Sequence, residues 1–102
     1  MYSATAYTIR SATPDDAAIL ERLAALDSQR PIEGPALIGE ISGEPAAALA
    51  LRDARIVADP FRPTAQLATH LRMRGHALAA LNHRPALRDR IHAALRPATV
   101  AA

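Results

Sequence analysis

Cysteine, lysine and tryptophan are all absent from this chain of 102 residues. The lack of cysteine excludes disulfide bonds, thiolate zinc sites and cysteine nucleophiles, and it fits a reducing compartment. No apolar run approaches the roughly 20 residues of a membrane-spanning helix. The N-terminus also lacks the basic start and apolar middle of a signal peptide. We therefore expect a soluble, cytoplasmic protein that does not insert into a membrane.

Aromatic residues are also scarce, at 3% of the chain, and comprise only Tyr2, Tyr7 and Phe61. The core must therefore be built from Ala, Leu, Ile and Val. Every basic side chain is an arginine, and together with abundant alanine and proline this indicates a GC-rich coding genome. The length predicts one domain, which we place at residues 1–97 and follow with a disordered tail at 98–102.

Charge is distributed unevenly along the chain. Residues 1–60 hold five Arg against nine acidic residues, a net charge of −4, whereas 61–102 hold seven Arg against Asp89 alone, a net charge of +6. Such asymmetry is found in proteins that bind nucleic acid or anionic ligands. It is equally expected where the two halves, or two subunits, attract each other.

The first elements predicted are a strand and a helix. Residues 7–10 alternate apolar and polar side chains, which favours a strand. Thr13 and Pro14 then supply an N-cap and a first helical residue, and Asp15 and Asp16 place negative charge in the first turn. This capping role explains the two carboxylates better than acid–base chemistry does. The helix has one apolar stripe, formed by Ile19, Leu20, Leu23 and Leu26.

A three-stranded antiparallel meander is predicted next. Two apolar runs, at 36–41 and 44–51, flank the pair Ser42-Gly43, which is typical of a tight β-hairpin. The second run is rich in alanine, but Pro45 near its start and its short length favour a strand over a helix. A tight connection at 52–54 leads to a third strand at 55–58.

The point where this last strand meets the following helix is the best candidate for a binding site. Asp59 and Pro60 end the strand, and Thr64 is suited to cap a helix. Unpaired amides and the helix dipole make such a junction a natural place for an anion. The candidate residues for this weak anion or coenzyme A site are Arg62, Thr64, Ala65 and Gln66. The loop has two prolines and no glycine, which weakens the prediction.

The helix that begins after Thr64 is predicted to be long and to pack on the sheet through Leu67, Leu71, Leu78 and Leu81. Arg74 projects into the same stripe, so it either extends to the sheet edge or meets an acidic partner. Arg72, His76 and His83 lie on the opposite, solvated side. His76 and His83 are two turns apart along the axis, too far to share one metal ion. A short helix is predicted at 86–95. The predicted fold class is therefore α+β.

Three motifs, taken in order, resemble the GNAT superfamily of N-acetyltransferases. Residues 8–17, from Thr8-Ile9-Arg10 to Asp16-Ala17, are similar to the first strand and helix start of that family, "IR-x-A-x-x-x-D". The hairpin at 36–45 is similar to its second and third strands, and Ile56-Val57-Ala58-Asp59-Pro60-Phe61-Arg62 to its fourth. The resemblance covers about residues 7–81 and implies the N-terminal half of a GNAT-like fold.

The chain departs from that family where the cofactor would bind. The family holds the acetyl-CoA pyrophosphate with an R/Q-x-x-G-x-G/A loop, whereas this chain has Arg62-Pro63-Thr64-Ala65-Gln66-Leu67. A literal R-x-x-G-x-A occurs at 72–77, but it lies inside the predicted helix, where the amides are already bonded. The matched part also stops before the family's fifth strand, and no Tyr, Ser or Cys follows Thr64. We therefore predict no catalytic residue and no metal site.

Three functions remain open from the sequence. The first is a non-enzymatic binding or assembly module, either a homodimer that completes the sheet or a domain that docks on an acidic partner. The second is an acetyl-CoA-dependent N-acetyltransferase whose cleft is completed by a second chain, with Arg62 and the amides of 64–66 as its anion site. The third and weakest is nucleic-acid binding through Arg62, Arg72, Arg84, Arg88 and Arg90. The absence of lysine and of aromatic residues in that half counts against nucleic acid.

Overall fold

The computed structural model describes residues 6–81. Within this range the fold is α+β, as predicted, with the strands in the sheet order β1-β2-β3-β4 and every neighbouring pair antiparallel. The strands are β1 (Tyr7–Ser11), β2 (Ala36–Ile41), β3 (Glu44–Ala50) and β4 (Ile56–Ala58). Helix α1 (Ala17–Leu26) follows β1, and helix α2 occupies residues 65–81. The predicted short helix at 86–95, His83 and the tail lie outside the described residues.

The predicted cap Thr13 begins a short turn that leads into α1 and ties the helix to the sheet. A short 3-10 turn (Pro14–Asp16) precedes the helix, and the carboxylate of Asp16 accepts a hydrogen bond from the backbone amide of Thr13 at 2.8 Å, as in a capping box. Arg10 on β1 donates to both oxygens of this carboxylate, at 2.8 and 3.0 Å. Its Nε also donates to Glu40 on β2 at 3.2 Å.

These contacts change the titration of Asp16. The hydrogen bonds from Arg10 and from the Thr13 amide stabilise the ionised carboxylate and hold the pKa of Asp16 well below its usual range. The same contact with Asp16 raises the pKa of Arg10. Arg10 therefore links the carboxylate at the start of α1 to the carboxylate of Glu40 on β2.

Both central strands are covered on both faces. Side chains of β2 and β3 alternate between a core shared with α1, which includes Ile38 and Ala48, and a core shared with α2, which includes Leu37 and Leu49. This double burial explains why the two runs are almost continuously apolar rather than alternating. The strand assignment of the alanine-rich run is confirmed, and its small side chains let the two helices approach the sheet closely.

Two glycines permit the close packing of α2. A Cβ built on Gly39 of β2 would lie 2.7 Å from Cδ1 of Leu67, and one built on Gly75 of α2 would lie 2.7 Å from Cδ2 of Leu49. Such distances are shorter than normal contacts, so a side chain at position 39 would have to displace Leu67, whereas one at position 75 would meet only the end of the Leu49 side chain. The hairpin turn has the backbone predicted for it, with positive φ at both Ser42 (50°) and Gly43 (84°).

The predicted apolar stripe of α2 is only partly buried. Leu67 and Leu71 are inaccessible and Leu78 packs against the same core, but Leu81 is 54% exposed. The prediction that it packs on the sheet with the other three was wrong, because the periodicity of a helix shows which side is apolar and not how far the sheet extends beneath it. On α1 the buried seam is Leu20, Leu23 and Ala24, with Ile19 only partly buried against it.

Candidate functional site

The junction between β4 and α2 does not gather the four candidate anion-binding residues around one point. The guanidinium of Arg62 is paired with Glu44 at the start of β3, with 3.0 Å between Nη1 and Oε1. The side-chain oxygen of Gln66 accepts a hydrogen bond from the hydroxyl of Tyr7 at 3.1 Å. The carbonyl of Thr64 accepts the first bond of α2, from the amide of Ala68 at 2.8 Å. Ala65 is exposed at the helix start.

A buried carboxylate shapes the same junction. Asp59 is 8% exposed, and its Oδ1 accepts a hydrogen bond from the amide of Phe61 at 2.9 Å. The amide of Asp59 in turn donates to the carbonyl of Ala46 at 2.8 Å, which fixes the turn to β3. An incoming anion would therefore have to compete with Glu44 for Arg62 at a junction that already holds a second acidic group. The four site residues stay a prediction.

The outer edge of β4 is occupied by side chains from the end of α1. Asp59 and Arg55 make the backbone bonds to β3, so the backbone groups of Ile56 and Ala58 point outward. The amide of Ala58 donates to Oδ2 of Asp27 at 3.1 Å, and the carbonyl of Ile56 accepts from Nε2 of Gln29 at 3.0 Å. These two side chains bond one outward amide and one outward carbonyl of β4, where a further strand would otherwise pair.

A partly buried arginine, Arg55, holds this segment in position. Arg55 Nη1 donates to the carbonyl of Arg30 at 2.8 Å, and Nη2 to the carbonyl of Pro31 at 3.0 Å. The same guanidinium reaches Oε1 of Gln29 at 3.2 Å, while the Gln29 amide also donates to Asp27 at 2.8 Å. The residues that cover β4 are therefore fixed by a connected set of hydrogen bonds. Sequence reasoning missed all of them.

The opposite edge of the sheet, at β1, is different. At the two ends of β1, the backbone amide of Ser42 donates to the carbonyl of Ala6, and the amide of Ala12 donates to the carbonyl of Ala36, each at 2.8 Å. The even-numbered residues of β1 are therefore the ones whose backbone groups face β2. Residues 7, 9 and 11 therefore direct their amides and carbonyls away from the sheet. Within residues 6–81 these groups have no hydrogen-bonding partner. No strand or side chain of the described residues 6–81 therefore pairs with this edge of β1.

A cleft of about 630 Å³ runs between this edge and α2. Its apolar lining comes from Tyr7, Ile9, Met73 and Ala77, and its polar lining from His70 and Arg74. Met73 is 63% exposed, and the rings of Tyr7 and His70 have centroids 5.8 Å apart at an angle of 50°. Apolar surface and unpaired strand therefore occur side by side. Arg74 lines this cleft, which agrees with the first of the two alternatives that the sequence leaves open for it, a position at the sheet edge.

Metal binding and membrane insertion find no support in this part of the molecule. Among the residues that the structure describes, no three acidic or histidine side chains converge in a way that could hold a metal ion. Neither helix of the same region combines the length and apolar character that crossing a bilayer requires.

Comparison with models of protein families, with curated proteins and with solved structures gives no match for this chain. The likeness to the acetyltransferase superfamily therefore rests on three short motifs and their order, and it stays a prediction.

Proposed function

We propose that this domain is a non-catalytic assembly module that forms a homodimer by pairing the β1 strands of two copies. The contrast between the two sheet edges carries the proposal. The β4 edge is bonded by the side chains of Asp27 and Gln29, whereas within residues 6–81 the β1 edge presents unpaired backbone beside exposed apolar side chains. An uncovered edge of this kind is a template for another strand.

A two-fold axis at Ile9 gives the simplest pairing. It would place Ile9 opposite Ile9 of the partner subunit, and Tyr7 opposite Ser11 of the partner subunit. The outward groups of these three residues could then form up to about six hydrogen bonds in one antiparallel ladder. The two copies would share a continuous sheet, with both α2 helices on the same face.

The cleft beside β1 adds apolar contact to this ladder. Tyr7 and Ile9 are half-buried and pack against the α2 core, so a partner strand would cover the rest of their surface. Backbone hydrogen bonds contribute only about 0.5–1.5 kcal/mol each, and association itself costs several kcal/mol. We therefore expect a reversible dimer whose population depends on protein concentration.

The salt dependence of association distinguishes a second copy of this chain from an acidic partner. In the homodimer the two clefts merge, and Arg74 of each copy approaches the other, so added salt should strengthen association by screening the repulsion. Binding of an acidic partner to the same cleft would weaken with salt instead. The direction of the salt dependence therefore tests the choice of a second copy.

The decisive variant is Ile9→Pro. It removes an amide that points away from β2 and leaves the ladder between β1 and β2 intact, because proline is tolerated where its nitrogen faces outward on an edge strand. Sedimentation over a range of concentrations should show a dimer for the unmodified chain and for Ile9→Val, and a monomer for Ile9→Pro. Circular dichroism checks that the variants fold.

Ser11→Pro provides a second test, because its amide also points outward and its side chain is exposed. It should weaken the dimer as well. A chain that stays monomeric at every concentration, or an Ile9→Pro variant that dimerises as tightly as Ile9→Val, would contradict the proposal.

A further inference from the structure

A second cleft lies on the other side of α2, against the turn between β3 and β4. Its volume is about 410 Å³, within the roughly 300–1,000 Å³ of small-molecule sites. Helix α2 therefore separates two grooves, one at the β1 edge and one at the β3–β4 turn. The second groove takes no part in the proposed dimer.

The floor of this cleft is apolar. Leu49 and Leu51 approach from the end of β3, and Ala54 from the turn, while Gly75 and Ala79 form the wall on α2. The absence of a side chain at Gly75 brings the helix close to Leu49. Leu51 is partly exposed here, at 36% of its surface. An apolar ligand could cover this surface without displacing a buried side chain.

The rim of the cleft is basic. Arg52 comes from the turn and Arg72 from α2. Neither arginine forms a salt bridge within residues 6–81. The one acidic side chain in the lining, Asp53, already accepts a hydrogen bond from the amide of Arg55 at 3.1 Å. Two arginines against this one carboxylate leave the rim with a net positive charge.

We propose that this cleft binds a small molecule with an apolar body and a carboxylate, such as a medium-chain fatty acid. The apolar floor would hold the hydrocarbon, and Arg52 and Arg72 would pair with the carboxylate at the rim. Arginine suits this role because its planar donors match both oxygens of a carboxylate. The combination of an apolar floor and a cationic rim selects against neutral hydrocarbons and against small inorganic anions.

The test uses the full chain and three probes: octanoate, octanol and butyrate. Octanoate should produce saturable shifts in the amide resonances of 49–54 and 72–79, whereas octanol lacks the charge and butyrate lacks the length. Octanol and butyrate should each bind at least fivefold more weakly than octanoate. Equal binding of octanol and octanoate, or shifts from octanoate that never saturate, would overturn the proposal.

Matched variants locate the binding. Arg72→Gln should weaken octanoate binding roughly fivefold, whereas Arg22→Gln, the same change at an exposed position on α1 across the sheet, should leave it unaltered. Ala79→Leu should also weaken binding, because the larger side chain fills the cleft from an exposed helical position. Equal effects of Arg72→Gln and Arg22→Gln would show that the interaction is only general attraction to a basic protein, and would refute the site.

Discussion

The carboxylate of Asp27 accepts a hydrogen bond from the backbone amide of Ala58, 3.1 Å away and 31 residues further along the chain. The contact joins the end of α1 to the outermost strand of the sheet. With Gln29 it satisfies two backbone groups that would otherwise face solvent or another protein. We expect the stability of the domain to depend on this contact.

Asp27→Ala should lower the free energy of unfolding by about 1–2 kcal/mol, because the amide of Ala58 and the side chain of Gln29 each lose an acceptor. Urea denaturation measures the change. Asp27→Asn is the matched control, since its side-chain oxygen can still accept, and it should cost clearly less. Equal losses for the two variants would show that the contact with Ala58 is unimportant.

Gly39→Ala should lower the free energy of unfolding by about 1–3 kcal/mol, because the new methyl group would overlap the side chain of Leu67. In combination with Leu67→Ala, the added methyl group should cost much less than it does alone. A thermodynamic cycle of the two single variants and the double variant gives this coupling. Additive effects would contradict the packing argument.

The stability of the domain should fall in acid through Asp16. Contacts with Arg10 and Thr13 lower its pKa in the folded state. The stabilisation is therefore fully present above the unfolded-state pKa of about 3.9 and is lost as pH falls toward the folded-state value.

Asp16→Asn tests this pH dependence. The variant should be less stable than the unmodified chain at neutral pH, and its free energy of unfolding should vary less between about pH 5 and pH 2. Chemical denaturation at several pH values measures both curves. Parallel curves would mean that other carboxylates dominate the acid response.

Coenzyme A should not raise the melting temperature of the chain, because Arg62 at the predicted anion site is already paired with Glu44. Glu44→Gln is the informative variant, since it frees the guanidinium while keeping the size of the partner. A saturable stabilisation of the unmodified chain by millimolar coenzyme A, abolished in Arg62→Ala, would favour the acetyltransferase alternative over the assembly module.

Local signals in the sequence predict most of the described fold. Thr13 and Pro14 mark the start of the first helix, Ser42 and Gly43 mark the hairpin, and Asp59 and Pro60 mark the end of the last strand. In each case the conformation follows from the residues themselves, so it can be predicted without knowing the tertiary structure. The strand–helix–meander–helix order is confirmed on this basis.

The contacts that define the candidate sites depend on residues far apart in the chain, and the sequence does not reveal them. Nothing near Asp27 indicates that it meets Ala58, and nothing near Arg62 indicates that it meets Glu44. The exposure of Leu81 is a similar case, since it depends on where the sheet ends. The anion site was predicted from the amides and dipole of an isolated helix start. In the fold, Glu44 from β3 offsets the positive charge of Arg62 at that place.

The covering of β4 has a further consequence for the size of any assembly built by strand addition. A sheet open at both ends can recruit copy after copy and grow into a fibre. Asp27 and Gln29 close one end, and a pair joined through β1 uses up the other, so propagation would stop at two molecules.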